Sequence, residues 1–195
     1  MSGDATTTMS LYRRALGVAY ETLPPILRHF HDAQAGAEAQ GKFKVTRGKG
    51  IVRSVMADMM ALPKAGDDVN IHLEVKVERG GERWIRQFDS QCLITEQWLQ
   101  DGLLVEAAGP IRFGFRLTAD ASSIRFAMER CWLTVVPIPL VLAPRVSATV
   151  TGGDSSWLAM VQVEMPIFGL LVRYEGELTP LASDLTAAGQ NPTIT

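Results

Sequence analysis

Residues 69–88 read VNIHLEVKVERGGERWIRQF, two alternating runs on either side of Gly80-Gly81. A Gly-Gly pair is a strong hairpin signal, because the tight primed turns need residues that tolerate positive φ. With both glycines in the loop, Arg79 pairs with Glu82, Val77 with Trp84, Val75 with Arg86 and Leu73 with Phe88. Directly paired residues share a face. One face then carries Ile71, Leu73, Val75, Val77, Trp84 and Phe88. The other carries His72, Glu74, Lys76, Glu78, Arg83 and Gln87, with Glu78 opposite Arg83. Arg86 is discordant. It falls on the apolar face, where a guanidinium requires partners.

Outward from this hairpin the chain is almost wholly β. Residues 91–100 and 103–108 flank Asp101-Gly102, a second hairpin turn. Ile111, Phe113, Phe115 and Leu117 alternate with polar or small residues, as do Ile124, Phe126, Met128, Arg130 and Trp132. Segments 146–150, 157–165 and 170–178 continue the series, and 41–47 precedes the hairpin as a first strand. Upstream, Ser10 is a plausible N-cap for a helix over 11–22, and Pro25 can open a second, shorter helix. Residues 34–40 are Ala/Gly-rich and read as a loop. Val52, Val55, Met56, Met59 and Met60 repeat at helical spacing over 51–62, ended by Pro63.

This pattern predicts a mainly β (α+β) chain: an antiparallel meander of roughly ten strands that must curl or close to hide its edges. A barrel or half-barrel of lipocalin or fatty-acid-binding kind is expected, with two N-terminal helices and one short helix after the first strand. A helix-grip (START-like) fold is the alternative. A single domain over 10–180 is expected, with small, polar tails at 1–9 and 181–195 that lack the residues to order themselves.

The chain has 195 residues, enough for one sizeable core, and a formal net charge of -2. That balance lacks the basic face of a nucleic-acid binder. Two cysteines, Cys92 and Cys131, are too few for a disulfide scaffold and fit no metal spacing, so both are expected reduced and buried. The N-terminus MSGDATTTMS has no secretory pattern. The longest apolar run, 132–144, is too short to span a bilayer and is broken by three prolines. A soluble, cytoplasmic protein is the expectation.

Several stretches together resemble one family: LYRRALG at 11–17, His31-Asp32, Thr46-Arg47-Gly48 with Gly50, LPKAGDDV at 62–69, and ERWIRQF at 82–88. LLVE at 103–106, GPIRFGF at 109–115, PIPLVLAP at 137–144 and GLLVRYEGELTP at 169–180 extend the match. The chain is similar over residues 11–180 to the bacterial domain family known only as domain of unknown function DUF4166. Relatives resemble stand-alone domains or partners of NAD(P)-binding, saccharopine-dehydrogenase-like domains. The resemblance therefore implies an accessory role beside a separate oxidoreductase. The chain departs from the pattern at Glu177, where many relatives carry an aromatic, and at Cys131, which replaces a basic residue.

Arg86 is the first candidate site residue. It either clamps a ligand carboxylate or phosphate inside the barrel, or it is neutralised by Glu96 or Glu82 or stacked on Trp84. Arg130 and Tyr174 sit among apolar residues on their own strands and are its expected companions. Met56 and Met59 could line a portal for an apolar ligand, or simply be core. Gly48-Lys49-Gly50 follows a strand and opens a helix, the context of a phosphate loop, but residue 53 is Arg rather than a third glycine, so a tight turn is the better account. His31 and Asp32 are read as a helix-ending cap or surface contact. The apolar, proline-rich segment 135–143 either plugs a barrel end or forms an exposed contact surface. No nucleophile elbow, Cys-His pair or metal set is present in the sequence, so nothing argues positively for catalysis or for a cofactor. The leading expectation is a binding module for a small apolar or amphipathic ligand, anionic ones included.

Overall fold

The computed structural model describes residues 9–89 and 91–181; the expected tails lie mostly outside them. In chain order the elements are α1 (Leu11–Leu16), a 3-10 helix (Gly17–Thr22), α2 (Pro25–Asp32), β1 (Ala37–Arg47), α3 (Ile51–Met59), β2 (Gly66–Glu78), β3 (Gly81–Phe88) and β4 (Gln91–Gln100). β5 (Leu103–Ala108), β6 (Ile111–Ala119), β7 (Ser123–Leu133), β8 (Val136–Pro137), β9 (Arg145–Gly152), β10 (Trp157–Met165) and β11 (Gly169–Pro180) follow. The strands form one antiparallel sheet in the order β6-β5-β4-β3-β2-β1-β11-β10-β9-β7-β8. β6 also pairs with β7, so ten strands close into a barrel and the two-residue β8 is left as an extra. Closure removes the long unpaired edges that a meander would otherwise expose. It also decides for the barrel over the half-barrel and over the helix-grip alternative.

The hairpin that announces the fold has a different register from the one its glycines suggest. Val77 pairs with Glu82, Val75 with Trp84, Leu73 with Arg86 and Ile71 with Phe88. The loop is Arg79-Gly80, and Gly80 takes the positive φ of 92°. Gly81 belongs to β3, where a Cβ would lie 2.1 Å from the Gln97 carbonyl oxygen of the next strand. Its glycine answers a close approach rather than a turn. The partners shift by two residues, an even number, so every side chain keeps its face. Arg86 stays inward. The Glu78–Arg83 pair does not form; Lys76 stands opposite Arg83 instead.

Elsewhere the boundaries move for local reasons. α1 stops at Gly17, whose φ is 56°, and the chain continues as the 3-10 turn instead of one helix to residue 22. β1 starts at Ala37, inside the segment expected to be a loop: Ala37 and Ala39 are buried while Gln40 is exposed, the alternation of a strand. Cys92 is exposed and only Cys131 is buried.

Antiparallel alternation sorts the connections between two mouths. At one, α1, the 3-10 helix and α2 pack onto β4, β6 and β9 and close it with Tyr12, Leu27 and Phe30. At the other lie α3, the turn at 166–168 and the segment 134–144. The inward faces of the strands fill the space between, with Phe43, Ile71, Leu73, Phe88, Val163 and Leu178 all buried.

Candidate functional site

The inward faces leave an internal cavity of about 150 Å³. Its lining runs from Tyr12, Phe30 and His31 at the helix-capped mouth to Met60 and Leu62, just beyond α3, at the other. Ala108, Ala148 and Ala159 are the small side chains of the lining. Most of the wall is aliphatic or aromatic, as is usual for a site that takes a small molecule.

Polar groups concentrate on β3, β4 and β5. Arg86 Nη1 donates to Thr95 Oγ1 at 2.8 Å and to Glu106 Oε1 at 3.1 Å. The Thr95 hydroxyl donates in turn to Glu106 Oε1 at 2.7 Å. The guanidinium carbon lies 5.0 Å from the Trp84 ring centre, a stacking that suits a planar cation. Burial works against the Arg86 charge, but the Glu106 carboxylate together with Tyr174 and Tyr12 holds the guanidinium pKa above its ordinary value. Both of its hydrogen bonds leave from Nη1. Among the described residues, Nη2 and Nε make none, so donors remain for a ligand oxygen. Tyr174, on β11, packs against Phe88 with ring centres 5.5 Å apart. Burial raises its phenol to about 12, with the nearby Arg86 pulling the other way, so it is a neutral O–H at ordinary pH.

Nearer the helix-capped mouth, Tyr12 Oη donates to Gln97 Oε1 at 3.0 Å, and His31 stacks on Tyr12 with ring centres 3.7 Å apart. Burial lowers the His31 pKa to about 3, so the imidazole is neutral. Glu82 accepts from Trp84 Nε1 at 2.9 Å, and burial raises its carboxyl to about 7.

The sequence candidates separate cleanly. Arg86, Trp84 and Tyr174 line the cavity together. Arg130 does not join them. β7 bulges where Gly114 pairs with Arg130 but Phe115 pairs with Met128, leaving Glu129 as the extra residue. The bulge reverses the alternation, so Glu129 and Arg130 are both exposed and Cys131 turns inward. Arg130 meets Asp101 at 3.4 Å on the outside. Glu96 is also exposed; its neighbours Thr95 and Gln97 point inward, and the partner of Arg86 is Glu106. Met56 packs against the core, Met60 rather than Met59 reaches the cavity, and Met59 is exposed. Asp32 does act as a surface contact, accepting from Ser10 and Arg13, but His31 points the other way into the barrel. Gly48-Lys49-Gly50 is a tight turn: the Gly48 N–H donates to the Leu171 carbonyl at 3.0 Å, and a Cβ there would collide with the Leu170 carbonyl.

Glu106, Thr95, Gln97 and Tyr12 escaped sequence reading, and His31 lines the cavity instead of capping a helix at the surface. A signal for three of them was available. Running the pairs up from the Asp101-Gly102 turn sets Gln97 against Glu106, which places Thr95, Gln97 and Glu106 on one face.

No helix among the described residues is long and apolar enough to cross a membrane. A family profile described as "Domain of unknown function (DUF4166)" matches residues 23–178, and the chain belongs to that family. No curated protein matches. A solved structure, "Crystal Structure of Rv2717c from M. tuberculosis", is similar with a TM-score of 0.44 and 10% identity, over 82% of this chain and 99% of that one.

Proposed function

We propose that this DUF4166 chain is a binding module that holds a small apolar or amphipathic molecule inside its barrel. The observation that carries the reading is the mostly apolar cavity with the Arg86–Thr95–Glu106 cluster on one wall. A cavity near 150 Å³ suits one ring or a short acyl chain, by analogy with engineered apolar cavities of that size that take benzene. Arg86 is already neutralised by Glu106, so a ligand need not be anionic. A carbonyl or hydroxyl oxygen can accept from the unused guanidinium donors, and a ligand acceptor can take the Tyr174 O–H. A carboxylate would add a second buried negative charge beside Glu106 against one cation.

The test is native mass spectrometry with solvent extraction of the purified chain, followed by thermal melts against straight-chain alcohols of graded length. Bound ligand stabilises the folded chain by RT ln(1 + [L]/Kd), which raises its melting temperature. The rise should peak at the chain length that fills the cavity and vanish in Ala159→Phe, which occupies the space. No co-purified ligand, and no length-dependent rise in the native chain, would defeat the reading.

A further inference from the structure

The mouth that carries α3 presents an unusual amount of exposed aliphatic surface. On α3, Ile51, Val52, Val55 and Met59 are 84%, 52%, 52% and 83% exposed, while Ala57, on the opposite face, is buried. Around the same rim, Ile167 in the β10–β11 turn is 95% exposed, and Val135, Val141 and Leu142 lie exposed between β7 and β9. These elements are neighbours along the rim. α3 packs on β11, the 166–168 turn joins β11 to β10, and the 134–144 segment leads into β9 beside them. Exposed apolar side chains gathered at one mouth in this number mark an interaction surface.

The charges around the patch say what covers it. Lys49, Lys64 and Arg145 are exposed at this end, with Arg53 half-buried on α3, and among the described residues none has an ion pair. Of the acids nearby, Asp58 pairs with Arg47 at 2.7 Å, Asp67 with Lys44 at 3.2 Å and Asp68 with Lys42 at 2.8 Å, while Asp89 accepts from Asn70 and Glu164, half-buried opposite Arg145, accepts from Gln162. The rim is therefore aliphatic in the middle and cationic at its edge. A second copy is a poor occupant, since a two-fold interface would set these cations against their own counterparts. Protein hot spots favour Trp, Tyr and Arg; here Ile, Val, Leu and Met dominate, with Phe168 the aromatic.

We propose that the α3 mouth docks on an anionic lipid bilayer, with α3 and the 135–142 and 166–168 segments seated in the headgroup–acyl boundary and the cations on the headgroups. Apolar insertion and attraction to anionic lipid add in such surfaces. Docking brings the Met60 and Leu62 end of the cavity to the membrane, so it deepens the ligand-binding reading by naming the membrane as the source of ligand. The docking step itself does not depend on that reading.

Flotation of the purified full chain with vesicles of phosphatidylcholine, alone or mixed with phosphatidylglycerol, tests this. The chain should float with the mixed vesicles, less so at high salt, and each charge removed in Lys49→Gln or Lys64→Gln should weaken binding about fivefold. Val55→Ser/Met59→Ser should abolish flotation while keeping the native melting temperature and the alcohol-induced thermal shift, because both side chains are outside the core. Loss of docking with the shift retained separates this proposal from the ligand reading. No flotation, flotation unchanged in the double variant, or a dimer or a bound dehydrogenase that the double variant abolishes in place of vesicle binding, would overturn it.

Discussion

Replacing Arg86 with Met tests whether the polar wall is one unit. Arg86 and Glu106 are 15% and 17% exposed, and both line the cavity. Removing the guanidinium leaves a carboxylate in an apolar wall with only the Thr95 hydroxyl donating to it. Breaking a buried pair in this way costs about 3–5 kcal/mol. The surviving Thr95 bond puts the expected loss near the lower end, about 3 kcal/mol. For a chain of this size about 2–4 °C of melting temperature accompanies each kcal/mol, so Arg86→Met should melt about 6–12 °C below the native protein. Arg86→Met/Glu106→Gln removes both charges and keeps the Thr95 hydrogen bond. It should lie within about 1 kcal/mol of native, well short of the sum of the two single losses. Urea unfolding of the four proteins, with a common slope, measures the cycle. If Arg86→Met melts with the native protein, or if the double variant loses the sum of the two single losses, the pair is not the coupled unit the geometry describes.

Three further outcomes follow from the same geometry. Burial lifts the Glu82 carboxyl to about 7 from an ordinary 4.5. The native state thus keeps a proton that the unfolded chain releases, and this stabilisation is full below pH 4.5 and lost as pH rises through 7. Glu82→Gln should flatten that decline and gain up to about 3 kcal/mol above it; a urea-midpoint profile as steep as the native one would refute the assignment. His31 carries the opposite sign: its folded pKa is lowered to about 3 from 6.5, so stability present above 6.5 is lost as pH falls toward 3. His31→Phe should keep the stack on Tyr12 and remove part of the acid-side loss; an unchanged acid limb in the melting profile would count against it. Arg130→Ala should cost under about 1 kcal/mol and leave the alcohol-induced shift intact, because Arg130 is exposed and its pair with Asp101 lies in water. A loss comparable to that of Arg86→Met would mean the bulge has been misplaced.

The contrast between Arg86 and Arg130 shows what a sequence of this kind carries. Arg86 was readable because face assignment survives an even error. Putting both glycines in the loop displaced every partner by two, and parity held. Its partner was harder, since Glu106 lies 20 residues on and two strands over. It becomes visible only by chaining the β3–β4 register to the one set by Asp101-Gly102. Arg130 was misread for a different reason. The alternation Ile124, Phe126, Met128, Arg130, Trp132 is unbroken in the sequence, and nothing local marks Glu129 as an inserted residue. The bulge shows itself only against the neighbouring strand. There Gly114 leaves room for the Trp132 ring on the outer face, where a Cβ would meet it at 3.1 Å. Gly114 and Trp132 are thus the two ends of one accommodation. With Trp132 committed to the outside, Arg130, two residues before it on the same face, must be outside too. The polar wall of the cavity accordingly owes its single cation to β3 alone. That single cation is why one carboxylate, Glu106, is enough to neutralise it.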